Sequence, residues 1–132
     1  MASTTFSTTL RNATMDAITA AVGANGKVNI YDGTRPAGGG AATTLLAQFT
    51  MGSPFAPGAA AGVLSPTLPS STTGLAASTA TWCRVTTSGG TYVIDMDVTL
   101  TAGAGPCKLD NTSITIGQTV TMTSFTITAG NA

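Results

Sequence analysis

Two groups of residues have types and spacings that chemistry uses. The first is the run VNIYDGTRPAGGGAATTLL, Val28 to Leu46, where Asp32, Arg35, Pro36 and three consecutive glycines join two apolar segments. Glycine-rich loops after a strand can hold phosphate through their backbone N–H groups. Such a loop also needs a lysine and a hydroxyl after its last glycine, and here Gly40 is followed by Ala41-Ala42-Thr43. The dinucleotide fingerprint needs a third spaced glycine opening a helix, but Thr43 stands at that place and TTLLAQFT reads as a strand. The run is expected to be a connector. Asp32-Gly33 forms a turn, and Arg35, held extended before Pro36, reaches Asp32 or an acidic partner.

The second group is Asp95 and Asp97, two apart in TYVIDMDVTL. In a strand they share one face with about 7 Å between Cα atoms, a spacing open to a glycosidase pair or a calcium site. No third carboxylate is near in sequence, so solvent-face side chains are the preferred reading. Histidine is absent, there is no Gly-x-Ser-x-Gly motif, and neither Cys83 nor Cys107 has a base beside it in sequence. Thr119, Thr121 and Thr123 repeat like an ice-binding rank, but one rank is not a plane. No catalytic residue, cofactor or metal ligand is expected.

Composition narrows the partners. Charged residues make up 8% of the 132 residues, against about 25% in ordinary domains, and the net charge is zero. The five cations, Arg11, Lys27, Arg35, Arg84 and Lys108, are scattered, so nucleic acid is not an expected partner. No apolar run reaches the roughly 18 residues that cross a membrane. The N-terminal MASTTFSTTLRNATMDAITA lacks the basic start and apolar run of a signal peptide. Both cysteines are expected as reduced, buried thiols, with a disulfide left open. A neutral surface of Thr, Ser, Ala and Gly is prone to association.

The elements that position these residues read as follows. Residues 7–22 form a helix with Ser7 as N-cap, a stripe of Leu10, Thr14, Ile18 and Ala21 widened by Met15 and Val22, and a stop at Gly23. From Lys27 the period changes to two. Strands are expected at 27–31, 45–50, 77–86, 91–101, 108–116 and 119–128, with a short edge strand at 63–68. Residues 52–75 form a Pro/Ala/Gly-rich loop anchored by Phe55. Tyr92, Ile94, Met96, Val98 and Leu100 share one face of 91–101. The last strand changes phase, which a β-bulge near Ser124 would reconcile. A two-residue turn at Gly89-Gly90 would set Arg84 opposite Asp95 and Trp82 opposite Asp97, leaving Trp82 in need of cover. A three-residue loop would set Trp82 beside Met96; the first register is preferred. The whole, 1–132, reads as a single mainly β domain: an antiparallel, jelly-roll-like β-sandwich over 27–128 with one N-terminal α-helix.

GKVNIYDGTRPAGGGAATTLLAQFT, the Pro/Ala/Gly segment, ATWCRV and GTYVIDMDV together resemble small virion structural proteins encoded near the head genes of tailed bacteriophages. The resemblance runs from about Leu10 to Ile127, and Ile30 to Pro36 and Ala80 to Trp82 are its most specific parts. It implies a non-enzymatic capsid decoration (cement) protein on the virion surface, made in the host cytoplasm. Its implied partners are the major capsid protein and further copies of itself, as a dimer or trimer. Asp32, Arg35, Pro36, Phe55 and Trp82 are the expected interface residues. The alternatives are a tail or neck protein of the same virion, or a carbohydrate- or calcium-binding module using Asp95, Asp97 and Trp82.

Overall fold

The computed structural model describes residues 4–129, so residues 1–3 and 130–132 of the expected domain lie outside it. The chain opens with α1 (Thr8–Val22). Ser7 caps it by accepting the Leu10 N–H at 3.1 Å, and Gly23 ends it at φ 72°. The buried stripe is Met15 and Val22 with Ile18 beside them, one position round from the expected line, while Leu10 is half exposed. The helix packs on its own chain. Asn12 and Asp16 accept the N–H groups of Gly62 and Ala59 at 2.8 and 2.7 Å, which clasps the Pro/Gly-rich loop to it.

Twelve strands follow among the described residues: β1 (Lys27–Tyr31), β2 (Leu45–Thr50), β3 (Val63–Leu64), β4 (Thr72–Thr73), β5 (Ser78–Thr79), β6 (Trp82–Thr86), β7 (Tyr92–Leu100), β8 (Cys107–Leu109), β9 (Ser113–Ile114), β10 (Thr119–Val120), β11 (Met122–Phe125) and β12 (Ile127–Thr128). Six form one curled sheet in the order β11-β8-β7-β6-β1-β2. The rest pair as two-stranded ladders, β10 with β4, β12 with β3 and β5 with β9. The mainly β class with one helix therefore holds, but in place of a second full sheet there are three short ladders. Pro54, Pro57, Pro66 and Pro69 lack the N–H that a longer strand in 52–75 would need. Leu64, Ile114, Val120 and Ile127 from the ladders join Val28, Ile30, Phe49, Val85 and Met96 in one buried cluster.

The sheet is mixed rather than antiparallel, because β8 runs parallel to β7 with Val98 opposite Cys107. Parallel neighbours usually need a crossover of a dozen or more residues. Here the connection is only residues 101–106, and the chain doubles back tightly against the end of β7. The Gly105 N–H donates to Thr99 Oγ1 at 3.1 Å, and a Cβ at Gly103 or Gly105 would come within 2.6 or 2.8 Å of the Thr99 side chain. These glycines, which lie between the strands expected at 91–101 and 108–116, permit this reversal.

The β6–β7 hairpin has the preferred register but the three-residue loop of the other reading. Its loop has three residues, Ser88 to Gly90, with Gly90 at φ 93° and hydrogen bonds between Thr87 and Thr91 and between Gly90 and Thr87. Thr86 pairs with Tyr92 but Val85 pairs with Ile94, so Val93 is a bulge residue. The bulge restores Arg84 opposite Asp95 and Trp82 opposite Asp97. It also turns Tyr92 away from Ile94 and Met96, onto the Arg84 side. A second bulge, between Met122 and Ser124, absorbs the phase change of the last strands as expected.

Cys83 and Cys107 are free and fully buried. Hydrogen bonding with Cys107, then burial, push the Cys83 thiol well up from its ordinary value.

Gly105→Ala is expected to lower stability by about 1–3 kcal/mol through overpacking against Thr99. Adding Thr99→Ser, which removes the crowding methyl but keeps the hydroxyl, should return part of that loss. Urea denaturation of the single and double variants checks this, and additive losses would show that the contact is not the cause.

Candidate functional site

One face of the sheet carries the apolar core, and the other carries Tyr31, Trp82, Arg84, Tyr92, Asp95 and Asp97 beneath the glycine-rich loop. Alternation along β1, β6 and β7 sets these side chains opposite Ile30, Cys83, Val85 and Met96. Tyr31 and Trp82, directly paired, stack with ring centroids 4.6 Å apart at 22°. The Arg84 guanidinium lies 5.3 Å from the Trp82 ring and 5.1 Å from the Tyr92 ring. Its Nε and Nη2 donate to the two Asp95 carboxylate oxygens at 2.7 and 3.0 Å. Asp95 raises the Arg84 pKa further, against the opposing effect of burial. Burial pushes the Tyr31 phenol up, since the form it disfavours there is the phenolate.

The loop is fastened over this row. Arg84 Nη2 also donates to Gly40 O at 2.8 Å, and the Gly39 N–H points to Asp95 at 3.4 Å. The Trp82 indole N–H donates to Asp32 O at 2.9 Å and to Thr43 Oγ1 at 3.1 Å. Thr43 in turn donates to Asp32 O. The Asp32 carboxylate accepts the Thr44 N–H at 3.0 Å, and hydrogen bonds from Ser78 and Thr44 hold its pKa below the ordinary carboxylate value. Gly39 lies on the Tyr92 ring, where a Cβ would come within 3.2 Å, and its φ of 75° also favours glycine.

These contacts place the expected interface residues. Trp82 is wholly covered, and its cover comes from the loop of its own chain. Phe55 is wholly buried, edge-on to Phe125 at 6.0 Å, so it anchors the Pro/Gly-rich loop as expected and leaves no surface for a partner. Arg35 pairs at 3.1 Å with Asp97 rather than Asp32, and both side chains remain accessible at 46% and 63%. Asp32 and Pro36 are half-buried. Asp95 departs from the solvent-face reading, since its side chain is 3% exposed. Asp95, Asp97 and Trp82 face Arg84, Arg35 and the loop's Asp32 carbonyl and Thr43 hydroxyl respectively, so each already has an internal partner. Thr121 and Thr123 are likewise engaged, with Ser71 and Thr101.

Sequence reasoning found the Arg84–Asp95 register but not its burial. The available signal was a tryptophan on a polar face together with a run of glycines thin enough to lie on it. No family model, curated protein or solved structure matches the chain.

What remains open on this face is a groove of about 450 Å³ beside the loop, lined by Asn29, Gln48, Tyr31, Lys27 and Arg84. Gln48 donates to Asn29 at 2.7 Å and Lys27 to Thr50 at 2.8 Å, so its polar side chains are internally paired too.

The two ion pairs on this face should respond differently to truncation. Asp95→Ala leaves the largely buried Arg84 charge without its partner and should cost about 3–5 kcal/mol. Arg35→Ala breaks an accessible pair and should cost under about 1 kcal/mol. Paired denaturant titrations check this, and similar losses would contradict the assignment.

Proposed function

We propose that the chain is a non-enzymatic structural protein of a tailed-bacteriophage virion, acting as a capsid decoration protein. It would lie across joints between capsomers of the major capsid protein, with copies of itself as further partners. The observation that carries this reading is how the charge is used. All five aspartates accept internal hydrogen bonds: Asp16 from Ala59, Asp32 from Thr44, Asp95 from Arg84, Asp97 from Arg35 and Asp110 from Thr121. Carboxylates committed to fastening loops are poorly placed for acid–base work. Outside them lies a charge-poor surface with Leu68, Leu75, Leu100 and Ile116 exposed, the last at 74%. Such a surface favours association, and on a shell many modest contacts add through multivalency.

The resemblance in the Ile30–Pro36 and Ala80–Trp82 segments supports the same reading. Those segments meet in the structure, where Thr81 donates to Gly33 O at 2.6 Å and Trp82 to Asp32 O. The motif then marks a fastened scaffold, and the accessible Arg35–Asp97 pair is its outward point.

Mass spectrometry of purified virions tests the proposal. A copy number comparable with that of the major capsid protein is expected. A few copies per particle would move the chain to the neck or tail, and its absence from the particle would end the reading.

A further inference from the structure

Beside the glycine-rich loop, the outer face of β2, β1 and β6 is a polar grid. Thr50, Lys27 and Thr86 stand in one row across it, and Gln48, Asn29 and Arg84 in the next. The groove over this grid, about 450 Å³, has the size of a small-ligand site. The hairpin loop at Ser88 to Gly90 borders the Lys27 end, and Tyr31 borders the other. Asn29 and Thr86 are 7% and 5% exposed, the two buried polar residues among those described. A buried amide normally uses both of its polar atoms. The amide pair here is half complete. Gln48 Nε2 donates to Asn29 Oδ1 at 2.7 Å, which leaves Asn29 Nδ2 as a donor and Gln48 Oε1 as an acceptor on adjacent strands. Charge in the groove is also unbalanced. Asp95 neutralises Arg84, but Lys27 Nζ has only the Thr50 hydroxyl at 2.8 Å, which uses one of its three donors. Among the described residues no carboxylate lines the groove.

We infer that this groove binds a sugar unit that carries a carboxylate. A hydroxyl both donates and accepts, so a sugar hydroxyl meets the spare Asn29 donor and the spare Gln48 acceptor together. The carboxylate takes the free donors of Lys27 in a charge-assisted hydrogen bond. Lys27 and Asn29 are two residues apart on one face of β1, about 7 Å between Cα atoms, a span that one sugar ring with its substituents bridges. Tyr31 adds ring surface for the sugar's C–H edge. A cation is a poor occupant because the lining holds two cationic side chains and no acid, and an apolar peptide is poor because the floor is polar. Asp95, Asp97 and Trp82 take no part, since their partners lie within the chain. The inference goes beyond the virion reading and does not need it.

The test uses the isolated whole protein, so its outcome is separate from presence in a virion. The probes are the methyl glycosides of glucuronic and galacturonic acid, each against its neutral hexose parent, with acetate and inorganic phosphate as plain anions. Nuclear magnetic resonance titration at millimolar concentrations should show at least one acid sugar binding about tenfold more tightly than its neutral parent. It should shift the Asn29 and Gln48 side-chain amides. Lys27→Gln should erase the preference for the acid and keep the weaker binding of the neutral sugar. Gln48→Ala, at an exposed strand position, should weaken both while the protein melts within a few degrees of the parent. No binding of either acid sugar, equal affinity for acid and neutral forms, or shifts confined to other surfaces would overturn the inference. Acetate or phosphate binding as tightly as the acid sugar would also overturn it, by showing a site for anions and not for sugars.

Discussion

A buried ion pair on the outer face of the sheet organises much of this molecule. Arg84 and Asp95 meet in a two-point contact under a glycine loop, and neither could be left there alone without a large desolvation cost. Each therefore requires the bulge at Val93, which sets the register, and each reaches the loop that excludes water. The guanidinium lies over the rings of Trp82 and Tyr92, and Tyr31 stacks on Trp82. The outcome is a sheet covered on both sides, by an apolar core on one and by a small polar-aromatic layer on the other.

The run from Asp32 to Thr44 is the lid of that layer. It has the glycine content of a phosphate loop for a different physical reason. Backbone without side chains can lie flat on Tyr92 and bring a carbonyl to Arg84 and an N–H toward Asp95. Asp32 holds the base of the lid through its carbonyl to Trp82 and its carboxylate to Thr44. Similar use of carboxylates recurs on the helix, where Asp16 holds Ala59, and at Asp110, which holds Thr121.

Local rules made much of this legible in the sequence. Ser7 and Gly23 mark the helix because capping is local chemistry, and β1 and β2 follow from alternation and composition. The phase change at the end announced its bulge. What escaped depended on distant neighbours. Gly103 and Gly105 lie in the break between two expected strands, and their closeness to Thr99 lets the chain return parallel to β7. The helix stripe was displaced by one position because the loop at Ala59 to Gly62 claims one side of α1. Asp95 looked solvated because alternation reports which face a residue takes and not what covers that face.

The loop is a permanent lid, held from below by Trp82 and Arg84. Hydrogen exchange of the Trp82 indole N–H measures it directly, because that proton is donated to Asp32 and Thr43 of the lid. A closed lid slows its exchange to the range of the core-strand amides of Val28 and Val85. Exchange as fast as that of a solvent-exposed indole, while those amides stay protected, would show that the loop opens freely and that the buried pair does not hold it.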